Sequence, residues 1–168
     1  ELVIPDTVTN NNILYNVTEI HTGGGNGAQS SNITKVTIGD KVTSIGNQAF
    51  YWSKSLHTIV WGSSPSLEFI GINAFATTAI TELKLPDSVT NIGNNAFYQC
   101  RSLTNIEIQP TSRLVTIGDG SFEALSSISE PLYIPQSVTY LGKNAFMQSG
   151  TISLSANFTL TFSDDISN

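Results

Sequence analysis

One six-residue phrase recurs five times along the chain and constrains everything else. It reads Ile45-Gly46-Asn47-Gln48-Ala49-Phe50, Ile70-Gly71-Ile72-Asn73-Ala74-Phe75, Ile92-Gly93-Asn94-Asn95-Ala96-Phe97, Ile117-Gly118-Asp119-Gly120-Ser121-Phe122 and Leu141-Gly142-Lys143-Asn144-Ala145-Phe146. Its glycines stand 25, 22, 25 and 24 residues apart. A repeat of that length is one supersecondary unit, which buries its apolar face only by stacking on its neighbours. Within the phrase, Gly after Ile points to a tight bend or a close approach of neighbouring turns. Gln48, Asn73, Asn95 and Asn144 precede Ala-Phe, as an N-cap precedes a short helical turn. Ala permits close stacking and Phe fills the interior. Five of the eight Phe residues fall on this one column.

A second phrase follows each Phe by about ten residues: two apolar residues flanking one outward residue, often followed by Pro and then Val. Leu83-Lys84-Leu85-Pro86-Asp87-Ser88-Val89 and Leu132-Tyr133-Ile134-Pro135-Gln136-Ser137-Val138 are the full copies. Val36-Thr37-Ile38, Ile59-Val60-Trp61 and Ile106-Glu107-Ile108 are looser ones. Alternation of this kind predicts a short strand with two side chains inward and one outward. The Pro ends it, because Pro has no N–H to offer a continuing ladder.

Composition closes off other classes. Only 12% of the residues are charged and the net charge is -6, so the clustered Lys and Arg of a nucleic-acid surface are missing. No apolar run approaches the ~20 residues of a membrane-spanning helix, and no membrane insertion of this stretch is expected. Ser, Thr and Asn make up 55 of the 168 residues and fill turn, cap and outward strand positions. Cys100 is the single cysteine and forms no internal disulfide.

With both phrases in place, the chain resembles the BspA-like (Treponema-type) leucine-rich repeats. Its fullest copy, LKLPDSVTNIGNNAFYQCRSL, runs from Leu83 to Leu103, and its period lies in the roughly 20–29-residue range of leucine-rich repeats. The expected fold is a single leucine-rich-repeat solenoid over residues 1–168, a right-handed superhelix of about seven turns. Each turn of 22–25 residues contributes a short parallel strand and a short helical or 3-10 segment. Residues 1–34 read as a divergent N-terminal turn with a glycine-rich loop, built on Leu2 to Val8 and Val17 to Ile20. Residues 35–148 are regular, and 149–168 form an irregular C-terminal turn. His21 stands where the first Gly belongs, and Ser121 replaces Ala in the fourth copy. The resemblance implies a secreted or cell-surface protein of a host-associated microbe, with no catalytic motif residue.

The last residues admit two registers. Leu160 to Asn168 aligns with Leu83 to Asn91, which predicts a fragment of a longer array or an unusual cap. Alternatively Ile152-Ser153-Leu154 is the final strand of the first kind, with Phe158 to Phe162 added over the open end.

No constellation points to catalysis or to a cofactor. His21 and His57 have no partner at metal-ligand spacing. Gly23 to Gly27 lacks the Lys-Ser/Thr of a phosphate loop, and Asp164-Asp165 offers too few oxygens for calcium. No G-x-S-x-G elbow accompanies the serines. Cys100 shares its column with Ser53, Thr78, Leu125 and Ser149, which marks a packing position and not a reactive thiol. Asn16, Asn32 and Asn157 open formal glycosylation sequons, which matter only in a eukaryotic source.

That leaves surfaces. Val60, Lys84, Glu107 and Tyr133 are outward strand residues on one continuous sheet face, and Lys84 and Glu107 are one ~4.8 Å step apart and expected to pair. Tyr51, Trp52 and Tyr98 follow core Phe residues where other copies carry Ala76, Glu123 and Met147; amphipathic aromatics of this kind anchor interfaces. The expected function is a non-catalytic extracellular or cell-surface module for protein binding or adhesion, with a host matrix or surface protein as partner. A carbohydrate-binding surface and a structural spacer within a larger surface protein stay open as alternatives.

Overall fold

A computed structural model describes residues 1–21 and 32–150, together with the backbone of two strands at 152–154 and 161–162. The glycine-rich loop and the Asp164-Asp165 pair lie outside the described residues. The first turn carries β1 (Leu2–Ile4), β2 (Thr7–Asn10), β3 (Ile13–Asn16) and β4 (Glu19–Ile20). Two kinds of strand then alternate. The apolar-x-apolar phrases form β5 (Lys35–Ile38), β7 (Thr58–Trp61), β9 (Glu82–Lys84), β11 (Asn105–Glu107), β13 (Leu132–Ile134) and β15 (Ile152–Leu154). Between them lie two-residue strands ending on the residue before each glycine: β6 (Ser44–Ile45), β8 (Phe69–Ile70), β10 (Asn91–Ile92), β12 (Thr116–Ile117) and β14 (Tyr140–Leu141). β16 (Thr161–Phe162) continues this series.

The two-residue strands form one unbroken parallel ladder of seven, from β4 to β16. Five of its ranks lead into a Phe-bearing turn. The glycine that follows each strand is required by space. A Cβ built on Gly71, Gly93, Gly118 or Gly142 would meet backbone atoms of the preceding turn at 2.8 Å or less, closer than real Cβ contacts. His21 is tolerated at the equivalent place because, among the described residues, β4 is the end strand of the ladder and pairs on one edge with β6 alone.

The segment expected to be a short helix is instead a stack of tight turns. Gln48, Phe50 and Trp52 donate their N–H groups to the Ile72, Ala74 and Ala76 carbonyls of the next turn, at 2.8, 2.7 and 2.9 Å. The intervening N–H groups of Ala49, Tyr51 and Ser53 turn back to carbonyls three residues earlier. This alternation needs left-handed backbone twice per turn. Gln48, Asn73, Asn95, Gly120 and Asn144 supply the first such position, with φ near +57°. Asn and Gly are the residues that best accept it, so the Asn read as an N-cap is the left-handed residue of a turn. Neighbouring Asx side chains add a cap of another kind: Asn47, Asn94 and Asp119 accept from the N–H of Ile72, Asp119 and Lys143 in the following turn, at 2.8, 3.0 and 2.8 Å.

Inside, the Phe rings stack face to face along the axis at 5.0, 5.4, 5.3 and 5.4 Å. Val, Ile and Leu from both ladders surround them. Ser121 is fully buried and its hydroxyl finds no hydrogen-bond partner among the described residues. An unpaired buried hydroxyl costs about 1–3 kcal/mol. Ser121→Ala is therefore expected to raise the melting temperature by roughly 2–4 °C per kcal/mol recovered, as read by thermal denaturation; an unchanged or lowered value would mean the hydroxyl is paired in solution.

The first-kind ladder is broken, unlike the second. It splits into β1-β5-β7, β9-β11 and β13-β15. Gly39 and Gly62 donate to Ile4 and Ile38 of the preceding turn, both at 2.9 Å, whereas Pro86 and Pro135 hold the same place and have no N–H. The breaks fall at those two prolines. At the first, the Trp61 indole N–H donates to the Lys84 carbonyl at 2.7 Å and bridges the seam.

β15 pairs with β13, Ile152 opposite Leu132 and Leu154 opposite Ile134, which is the second of the two registers. Thr161–Phe162 pairs with Tyr140–Leu141, so it does not take the place of Leu83 to Leu85 as the first register required. The first turn also holds an unforeseen element: β2 and β3 form an antiparallel hairpin with Asn11 and Asn12 at φ +49° and +61°. Two successive positive φ values define the turn that matches strand twist.

Candidate functional site

Two surfaces hold the predicted residues. The first is a groove of about 670 Å³ beside the Phe column. Tyr51 and Trp52 form one wall, their rings edge to face at 5.7 Å. Tyr98 and Gln99 form the other, two turns along, with the Gln99 amide donating to the Tyr98 hydroxyl at 2.9 Å. The turn between contributes Ala76, wholly buried, and so leaves a gap floored by Asn73 and Thr77. Trp52 is 46% exposed and the Lys54 ammonium lies 4.8 Å from its ring centre. Both Trp52 and Thr77 occupy left-handed backbone, at φ +61° and +59°. That conformation is uncommon for bulky and β-branched residues and is imposed here by the turn-to-turn hydrogen bonds on either side. Lys54, Arg101 and Glu123 complete the rim. Sequence comparison of the copies found Tyr51, Trp52 and Tyr98. It missed Lys54 and Arg101, which lie beyond the aligned phrase; their signal was that two of only seven bases follow the aromatic positions.

The second surface is the outward side of the first-kind strands. Lys84 Nζ lies 3.5 Å from Glu107 Oε1, so the expected pair is present. The face is not continuous. The seam between β7 and β9 separates Val60 from Lys84, and the seam between β11 and β13 separates Glu107 from Tyr133. A shallow hollow of about 600 Å³ sits over the first seam, lined by Val60, Trp61, Lys84 and Glu107. Tyr133 is only partly exposed and stands apart from it. A third surface escaped sequence reading: Phe69, Ile72 and Val115 are exposed beside the two-residue strands. The signal was a column Ser44, Phe69, Asn91, Thr116, Tyr140, hidden because a two-residue strand shows no alternation.

The Cys100 column is packing, and the two histidines are exposed. Cys100 is fully buried, its Sγ 3.2 Å from the Phe75 carbonyl and 3.3 Å from the Thr78 hydroxyl. Burial pushes the thiol up to about 11, so it stays protonated at neutral pH. Ser149 fills the same column and its hydroxyl bonds to the Phe122 carbonyl. His57 is exposed and near Thr58, and His21 contacts Glu19 at 2.5 Å. Among the described residues, no three His, Cys, Asp or Glu side chains converge, and no helix is long and apolar enough to cross a membrane.

A model of the BspA type leucine-rich repeat region matches residues 27–153 in six copies. The chain belongs to the BspA-type leucine-rich repeat family. Among solved structures, the pneumococcal vaccine antigen PcpA superposes with a TM-score of 0.77 at 28% identity, over 97% of this chain and 40% of that one. A leucine-rich cell surface protein of Faecalibacterium prausnitzii gives 0.51 at 23% identity, over 96% and 47%. The leucine-rich repeat protein of T. pallidum gives 0.54 at 24%, over 90% and 56%. The last two likenesses show the fold alone. The BspA-type chain thus spans about half the length of these structures, or less. No curated protein sequence matches it.

Proposed function

We propose that this chain is a non-catalytic module of a microbial surface protein and that it binds a protein partner through the Tyr51–Trp52–Tyr98 groove. The family supports a repeat scaffold, and the similarity to PcpA, described as a vaccine antigen, supports a setting at the cell exterior. The observation that carries the reading is Trp52. A half-exposed tryptophan in left-handed backbone, packed edge to face on Tyr51, crossed by a lysine and facing Tyr98 across the groove, has no packing duty in the core. Large amphipathic rings at such sites are the residues that dominate binding energy.

The test is direct binding of the recombinant domain to immobilised host matrix and surface proteins. Trp52→Ala with Tyr98→Ala is expected to weaken binding by about tenfold or more, the usual effect of losing interface aromatics. Lys84→Glu and Tyr133→Ala are expected to leave it unchanged. The reverse pattern would move the site to the strand face. Absence of any protein binding would favour a spacer role.

A further inference from the structure

We propose that the groove takes a proline-rich segment in polyproline II conformation with acidic residues at its flank. The proposal rests on the reading above, that the groove is a protein-binding site. It follows from spacing, floor chemistry and charge.

Tyr51 and Tyr98 each follow a core Phe directly, and those rings mark the axial steps: Phe50 to Phe75 is 5.0 Å and Phe75 to Phe97 is 5.4 Å. The two aromatic walls therefore stand on the order of 10 Å apart, two ranks of a parallel stack. A polyproline II helix has three residues per turn and a rise of about 3.1 Å, so residues i and i+3 recur every ~9.3 Å on one side. Two prolines at that interval reach the two walls together. A β-strand repeats its side every ~6.6 Å and places no pair of like-facing residues at the right distance. An α-helix would set apolar side chains over the intervening rank, and that rank presents Asn73 and Thr77.

The floor suits the same ligand. A polyproline II backbone makes no internal hydrogen bonds and leaves its carbonyls free. The amides of Asn73 and Asn95, set along the gap, are donors for such carbonyls, while the tyrosine and tryptophan rings supply the flat apolar walls on which proline rings dock. The charge picks the flank. The chain carries a net -6 with seven bases; Lys54 and Arg101 both border this groove against one acid, Glu123. Among the described residues neither base has a carboxylate partner within ion-pair distance.

The experiment is a nuclear magnetic resonance titration of the labelled domain with a synthetic peptide of about twelve residues carrying Pro at i and i+3 and flanking Glu. The indole N–H of Trp52 is expected to shift, while that of Trp61, held on the Lys84 carbonyl, stays still. Moving the second Pro to i+2, or Trp52→Ala, is expected to weaken binding by about tenfold or more. Arg101→Glu, an exposed change, is expected to weaken the Glu-flanked peptide and to favour a Lys-flanked one. Equal affinity for the i+2 peptide, or a static Trp52 resonance, overturns the proposal. So does a Trp52 shift produced by a neutral oligosaccharide and not by the peptide, which assigns the groove to glycans. If Trp52-dependent binding to a matrix protein persists without peptide binding, only the ligand class falls; if both are lost, the protein-binding reading falls with it.

Discussion

Phe97→Ala is expected to lower the unfolding free energy by roughly 3–5 kcal/mol, the range for a buried Phe cut back to Ala. The upper part of that range applies. Phe97 is fully buried and its ring lies between Phe75 at 5.4 Å and Phe122 at 5.3 Å, within 4° of parallel to both. The void left behind cannot close, because the turns above and below are pinned by hydrogen bonds on several sides. The loss is a large share of the roughly 5–15 kcal/mol that stabilises an ordinary domain. Among the described residues Phe146 has one stacked neighbour and is slightly exposed, so Phe146→Ala is expected to lose less. Urea denaturation followed by circular dichroism ranks the two; equal losses would show that stacking inside the column adds nothing.

Gly93→Ala is expected to be damaging as well, though less so, and for the opposite reason. In a position with room, Gly to Ala stabilises by about 0.4–1 kcal/mol through the unfolded chain. Here the added Cβ meets the Gly71 carbonyl carbon at 2.8 Å, the Ile72 nitrogen at 2.9 Å and the Ile70 oxygen at 3.1 Å. All three are backbone, and β8 is itself paired on both edges. Relief requires β10 to move off β8, so the loss is expected to reach roughly 3 kcal/mol, the upper end for overpacked sites. His21→Gly, at the same motif position in the end rank, is expected to change stability by no more than the ~1 kcal/mol entropic cost of glycine. A Gly93→Ala protein as stable as the parent would mean that the turns are not in contact at this seam.

Three columns were legible from sequence because each position has one physical duty and repeats it. Phe has to be inside, Gly has to be small, and a column that accepts Ser, Thr, Leu and Cys has to be packing. What escaped was backbone cooperation between turns. The two-residue strands carry no alternation, and the left-handed pairs such as Asn73 and Thr77 exist only because the next turn takes their hydrogen bonds. The Asn11-Asn12 hairpin was hidden inside a turn read as merely divergent. At the groove, Tyr51, Trp52 and Tyr98 stood out by varying against the copies. Lys54 and Arg101 did not, since no motif fixes their register. From sequence the strand face reads as continuous, because Pro86 and Pro135 show there only as ends of strands; the N–H each denies its neighbour is what breaks it.

Those two prolines also decide how the molecule bends. At most ranks successive turns are tied on three sides. Where Pro86 and Pro135 fall, the strand side loses its ladder pairing, although the first seam keeps the Thr81 to His57 backbone bond at 3.3 Å and the Trp61 indole bond to Lys84, while β8 to β10 and β12 to β14 remain joined and the turn stack keeps its bonds, Phe75 to Ala96 and Phe122 to Ala145, at 2.8 Å each. Bending is therefore expected to meet least resistance where it opens the strand side at these two places, with the Phe column as the closed side.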